Sequence, residues 1–264
     1  MLKPNQQKDN KSYKYNIIDT FYKADTFAKG RAFKKFFSNF CQKVFDINYK
    51  MLKDKDLQYF PLGYNENNAY SSISHALHLL TPYVWSEMFI NYKNRKNIKI
   101  LNSADINSKD CDDRWRFVDF WFISKDKEFE VWLEVKRLSF NVGKNANLDF
   151  DQNTIKRIED ALYQIYNIKN SNKDNPCQNS KQANLKVAFF IMPLWCKKSQ
   201  KPTNKSIKYI PNKIANLLND FIDNRRNMGV LCAVFELDLE FEKENLIYEG
   251  EYTPYFMLNA IILE

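Results

Sequence analysis

Two acids and a lysine stand where charge is expensive. The segments Phe117 to Ile123 (FVDFWFI) and Phe129 to Arg137 (FEVWLEVKR) are rich in aromatic and β-branched residues, which predicts strands. Each carries ionisable side chains in an otherwise apolar run: Asp119 in the first, Glu134 and Lys136 in the second. The charged turn Ser124 to Glu128 joins them as a hairpin. Alternation puts Val118, Phe120 and Phe122 on one face and Asp119, Trp121 and Ile123 on the other; in the second strand Val131, Leu133 and Val135 oppose Trp132, Glu134 and Lys136. Both faces are largely apolar, so these strands belong inside a sheet covered on both sides, where an unpaired charge needs a partner. Two arrangements supply one. The first is a cross-strand ion pair of Asp119 or Glu134 with Lys136 at a wetted strand end. The second is a hard-cation site, in which two mutually repelling carboxylates converge on Mg²⁺ (or Mn²⁺) and the lysine is left to act on a water or phosphate.

Composition narrows the chemistry from the other side. Glycine occurs only at 30, 63, 143, 229 and 250, so no GxGxxG, GxxxxGK[ST] or GxSxG can be written, and the usual dinucleotide fingerprint, P-loop and nucleophile elbow are excluded. Five widely spaced cysteines form no CxxC pair and read as reduced core thiols rather than a zinc ribbon or disulfide framework. His75 and His78, at i and i+3 with no third ligand in view, read as helix histidines rather than a zinc site. The N-terminus lacks the apolar stretch of a signal peptide, and the longest apolar run, Val187 to Cys196, is too short to span a bilayer; the expectation is a cytoplasmic protein without membrane association.

The net charge of +8 is concentrated. Residues 1–60 hold 13 Lys and Arg against 6 Asp and no Glu, a balance of +7, while the remainder is nearly neutral. In that segment Phe33, Phe36, Phe37, Phe40 and Val44 follow helical spacing and leave Lys34, Lys35 and Lys43 on the outer side. The run reads either as a solvated helix face or as a surface facing a polyanion, nucleic acid or membrane.

The elements that must position these groups follow from periodicity. Residues 1–13 read as disordered and Asp19 to Lys55 as helix in two pieces broken near Gly30. Asn65 caps a helix from Glu66 to about Leu80, and Pro82 stops it. Tyr83 to Tyr92 reads as a strand or a short second helix. After the hairpin come a helix over Thr154 to Lys169, a polar loop to Asn184, and a buried strand over Leu185 to Leu194. A helix over Asn212 to Arg226 and strands over Val230 to Phe241 and Tyr255 to Leu263 complete the chain. The order predicts an α/β fold, a mixed central sheet flanked by helices, with residues 1–60 as a basic, aromatic-rich helical extension and 61–264 as the main domain.

Val118-Asp119 followed fifteen residues later by Glu134-Val135-Lys136, on adjacent antiparallel strands between two helices, resembles the PD-(D/E)XK nuclease superfamily. The resemblance spans Glu66 to Leu194, with Val118 in place of the family's proline. It implies a restriction-endonuclease-like core, metal ligation by Asp119, Glu134 and the Val135 carbonyl, and Lys136 orienting or helping to deprotonate the attacking water. It also implies a helix acid, for which Glu66 matches best and Glu87 is the alternative. Lys156, Arg157 and Gln164 on the following helix are placed to reach the substrate or to form a solvated face. The function so implied is a Mg²⁺-dependent phosphodiesterase, a DNA endonuclease of restriction or phage-defence type, acting on DNA before RNA and as a possible homodimer. The alternatives are a nucleic-acid-binding protein that keeps the fold without catalysis, and an interaction protein whose basic helices dock on a partner or membrane.

Overall fold

In the computed structural model, which describes residues 13–91, 115–168, 182–222, 227–237 and 250–264, the apolar segments assemble into one mixed eight-stranded sheet. The strands are β1 (Tyr13–Ile18), β2 (Val84–Asn91), β3 (Trp115–Ile123), β4 (Phe129–Arg137), the two-residue β5 (Phe140–Asn141), β6 (Ala183–Lys197), β7 (Met228–Leu237) and β8 (Glu251–Leu263). Their order across the sheet is β1-β7-β8-β6-β4-β3-β2, with β5 beside β6. β4 and β5 run parallel to β6, and the other pairings are antiparallel. Pro193 lies inside the long central β6, where a missing N–H usually breaks a ladder. It falls opposite the gap between the Arg137–Ile191 pairing that ends β4 and the Phe140–Leu194 pairing that begins β5.

Helices cover both faces. α1 (Gly30–Lys53) and α2 (Glu66–Leu80) pack one face, where Phe33, Phe37, Phe40 and Val44 meet Phe122, Val131, Leu133 and Phe189. Phe36, the remaining member of the expected stripe, is partly buried and stacks on Phe122. α3 (Gln152–Tyr166), the short α4 (Asn204–Ile207) and α5 (Ile210–Asn219) cover the other face, setting Ile158, Leu162, Ile165, Ile214 and Leu218 on Trp121, Trp132, Phe190 and Met192. The result is the expected mixed α/β architecture in three layers. Among the described residues no helix is long and apolar enough to cross a membrane.

Two expectations change. Residues 1–60 are not a wholly helical extension, because Tyr13–Ile18 pairs antiparallel with β7 and forms the outermost strand of the sheet. Its inward side chains Tyr13, Tyr15 and Ile17 join the core under α1, a period of two that outweighs the basic character of the segment. The two helical pieces expected over Asp19 to Lys55 reduce to a 3₁₀ turn, Ala24–Thr26, and the continuous α1. Gly30 opens α1 instead of breaking it: a Cβ there would stand 2.2 Å from the Ala24 carbonyl oxygen, so only glycine allows this approach. Of the two readings open for Tyr83 to Tyr92, the strand holds as β2 over Val84–Asn91, at the end of the sheet order among the described residues. Parts of the expected elements fall outside the described residues, namely 1–12, the polar stretch 92–114, the loop 169–181, and the ends 223–226 and 238–241.

Candidate active site

The candidate residues gather where the sheet splits. β3 and β4 pair from Ile123–Glu130 to Phe120–Leu133, and the ladder stops there, one residue short of Asp119. Side-chain alternation stops too. Val84, Phe120 and Phe122 pack toward α1, whereas Met88 and Val118 pack toward α3 and α5. Strand periodicity places Val118 on the same face as Phe120, so this expectation is corrected: both strands roll over at Asp119 and at Glu87, its neighbour on β2. Glu87 takes the turn in a left-handed conformation, φ 51°.

The Asp119 carboxylate fills the split. Its Oδ2 accepts the Val135 backbone N–H at 2.7 Å, in place of the ladder bond that the strands no longer make, and its Oδ1 accepts the Tyr70 hydroxyl at 2.6 Å. Tyr70 lies on α2 four residues after Glu66, so both side chains leave the helix on one face. Asn65 fixes the start of that helix, its side chain accepting the Asn68 N–H at 2.8 Å. The 3₁₀ turn before it, Pro61–Gly63, is tied on two sides. Buried Asn48 of α1 accepts the Leu62 N–H at 2.9 Å, and Arg137 donates from Nη2 to the Gly63 carbonyl at 2.7 Å.

Glu134 and Lys136 share one side of β4, as alternation requires. The Lys136 ammonium donates to Glu134 Oε1 at 2.6 Å and stands 3.6 Å from Glu66 Oε1. Glu66 Oε2 accepts the Arg137 backbone N–H at 3.2 Å and lies 4.0 Å from Arg157 Nη1, which donates to the Arg137 carbonyl at 2.8 Å. The structure thus brings Asp119, Glu134, Lys136, Glu66 and Arg157 together. Glu87, the alternative acid, is a strand residue exposed to solvent, whereas Glu66 is the further carboxylate whose charge acts on Asp119, Glu134 and Lys136. Lys156 faces solvent on α3.

Electrostatics set this cluster apart from an ordinary ion pair. Glu134 is only 3% exposed, and burial, reinforced by the charge of Asp119, pushes its carboxyl up to about 7 against the pull of Lys136. Asp119 is raised as well, by burial first, although the bonds from Tyr70 and Val135 and the charge of Lys136 oppose this. For Lys136 burial favours the neutral amine, but Glu134, Glu66 and Asp119 outweigh it and the ammonium is held more firmly than usual. Three carboxylates, Asp119, Glu134 and Glu66, thus share one largely buried lysine, with Arg157 and Arg137 beside them at the cleft.

The donor set is the test of fit for a divalent cation. The carboxylate oxygens of Asp119 and Glu134, on adjoining strands, are hard donors of the kind that Mg²⁺ or Mn²⁺ takes while keeping several waters. Among the described residues no group of three or more His, Cys, Asp and Glu side chains is placed to hold a metal ion, so an ion here would rest on two carboxylates, backbone and water; His75 and His78 are exposed on α2. A cleft of about 620 Å³ opens beside the cluster, lined in part by Glu66, Arg137 and Arg157.

The basic residues of α1 are placed differently. Lys34 is half-buried and paired with Asp19, Lys35 is exposed, and Lys43 is half-buried. Lys29, just before α1, binds Glu128 at 3.0 Å in the β3–β4 turn, so the basic first turns of α1 lie at the opposite end of β4 from Lys136. Tyr70 and Arg137 were not singled out from sequence. The i, i+4 spacing from Glu66 was a usable signal for Tyr70, and adjacency to Lys136 was one for Arg137. Compared with family models, curated proteins and solved structures, the chain matches none.

Proposed function

We propose that this chain is a divalent-metal-dependent nuclease of the PD-(D/E)XK kind, hydrolysing phosphodiester bonds in nucleic acid, DNA before RNA, in a restriction or phage-defence role. The observation that carries the proposal is the split between β3 and β4, into which Asp119, Glu134, Lys136 and Glu66 converge from three elements. Asp119, Glu134 and the Val135 carbonyl would hold the ion. When bound, a divalent cation supplies Lewis acidity to the phosphate and a more acidic water, which removes the need for a His or Cys nucleophile.

The chain's own residues do the rest. Tyr70 and the Val135 N–H fix both oxygens of Asp119, so the carboxylate is oriented before any ligand arrives. Lys136 keeps its proton, which makes it a donor that orients the attacking water and offsets charge on the phosphate rather than a base. Glu66 holds Lys136 from the second side and anchors the end of β4 through the Arg137 N–H. Arg157 brings a positive charge to the rim for a neighbouring phosphate.

The 2.6 Å contact of Lys136 with Glu134 also favours a second reading, a nucleic-acid-binding protein in which acid and lysine only neutralise each other. One experiment separates them. Wild type and Lys136→Ala are incubated with plasmid DNA, single-stranded DNA and RNA, in Mn²⁺ or in EDTA. The nuclease reading expects cleavage by wild type in Mn²⁺ alone and at least a 100-fold loss in the variant, the scale on which a positioned proton donor contributes. Absence of cleavage on all three substrates, with binding intact, returns the site to the ion-pair reading.

A further inference from the structure

The cleft beside the cluster has a chemistry that metal binding and hydrolysis do not use. Its volume of about 620 Å³ lies within the range of sites that enclose an organic ligand. It adjoins the cluster directly, since Glu66 lines it while standing 3.6 Å from Lys136. Its wall combines Trp195 and Tyr64, the amide residues Asn67 and Asn141, and Arg137 and Arg157, with the carboxylates Glu66 and Asp151 on the same wall offsetting part of the arginines' charge. Aromatic faces, amides with both donors and acceptors, and fixed positive charge match the three parts of a nucleotide: base face, base edge and phosphate.

Two features show that the rings are held rather than incidental. Trp195 sits where the β6–β8 register shifts, between Leu194 and Cys196, an irregularity of the sort that re-aims a side chain. Its indole Nε1 donates to Ser139 Oγ at 2.6 Å, which fixes the ring plane at the cleft wall. Tyr64 stacks on Tyr59 with ring centroids 4.9 Å apart and planes 20° from parallel. Both rings are therefore ordered before a ligand binds, which lowers the entropic cost of stacking on them.

We infer that this cleft is a subsite for one unpaired nucleotide next to the scissile phosphate, so that the protein selects single-stranded or locally unpaired nucleic acid over a continuous duplex. The inference rests on the nuclease reading for the position of the scissile phosphate. The argument for an unpaired nucleotide is steric and chemical. In a duplex the faces of a base are covered by its neighbours and its Watson–Crick edge is occupied, so neither Trp195 nor the amides could use it. An unpaired base presents both, whether the strand is DNA or RNA.

The test is binding, measured without turnover. A fluorescein-labelled 12-mer is titrated by anisotropy in EDTA as single-stranded DNA, as RNA of the same sequence, and as duplex DNA. The expected result is at least tenfold tighter binding to one or both single strands than to the duplex. Trp195→Ala should lose about tenfold on the preferred strand and leave the duplex unchanged, whereas Trp195→Phe, which keeps a ring, should retain most of the affinity. A sugar preference identifies which strand supplies the nucleotide. Asn67→Asp, an exposed change in the first turn of α2, is the second variant should Trp195→Ala fail to fold; it replaces the amide's donor with an acceptor at the base edge and should weaken single-strand binding selectively. Equal affinity for duplex and single strands, or parallel losses on both in the variants, overturns the subsite. Because no step requires cleavage, selective single-strand binding with no hydrolysis in Mn²⁺ would retain the subsite and remove the nuclease reading, and hydrolysis with unselective binding would do the reverse.

Discussion

Replacing Glu134 with Gln should make the metal-free protein more stable at pH 8 and change it little at pH 5. Burial and the charge of Asp119 hold this carboxyl at about 7 in the folded chain, against its ordinary 4.5. Between those two values the folded state keeps a proton that the unfolded state has released, so stability falls as pH rises through this window and levels off above about 7. At pH 8 the ionised side chain costs ~3 kcal/mol relative to a neutral one, and at pH 5 under ~1 kcal/mol. The attraction of Lys136 is already contained in that balance, since it lowers the carboxyl toward its ordinary value. Gln keeps the shape and removes the charge, and Lys136 keeps Glu66 at 3.6 Å. For a chain of this size ~3 kcal/mol corresponds to roughly 6–12 °C in Tm. The assay is thermal unfolding by circular dichroism in EDTA at both pH values, repeated with Mn²⁺. Wild type should gain stability from Mn²⁺ at pH 8 by mass action, and the variant should lose that gain. A variant equally destabilised at pH 5 and pH 8, with no difference in its response to Mn²⁺, would mean that Glu134 is an ordinary partner of Lys136, and the reasoning would fail.

Tyr70→Phe removes the 2.6 Å bond to Asp119, one of the two that counter its burial; we expect a loss of ~1.5–3 kcal/mol at pH 8 and weaker Mn²⁺ binding by calorimetry, with unchanged affinity counting against an orienting role for Tyr70. Lys35→Ala and Lys43→Ala should each reduce the slope of log affinity against log salt by about 0.9, whereas Lys34→Ala should change it less because Asp19 already pairs with that side chain. Salt titrations of binding in EDTA measure this, and an unchanged slope in the Lys35 variant identifies α1 as a solvated face.

The parts of the fold governed by repeating patterns were legible in the sequence. The bounds of α2 and β4 match the expectation residue for residue, because a capping Asn65 and a proline flank one and a turn opens the other. The pairing of Glu134 with Lys136 on one side of β4 follows from a period of two alone. The break at Asp119 was not legible, since it depends on a left-handed residue at Glu87 that composition does not demand and on a ladder that ends before its strands do. β1 was missed because its six residues carry alternation too short to stand out beside a strong basic, aromatic signal. The cleft assembles from residues scattered between Tyr64 and Trp195, and no local pattern joins them.

On the proposed nuclease reading, the position of the split also fixes how binding and chemistry would be divided over the molecule. Lys29 meets Glu128 at one end of β4 and Lys136 stands near the other, eight residues along an extended strand, a span of about 26 Å. The basic first turns of α1 therefore lie too far from Lys136 to touch the phosphate at the cluster. They can act only on parts of a strand several nucleotides away, roughly eight base-pair steps if the nucleic acid there is double-stranded. At the cluster three carboxylates face Lys136, so on that reading affinity would come from a cation between Asp119 and Glu134, from Arg137 and Arg157 at the cleft, and from the distant lysines, surfaces that bind without reacting. Burial first, and the charge of Asp119 second, hold the Glu134 carboxyl at about 7, so a cation seated at this pair would be read as a fall in that value.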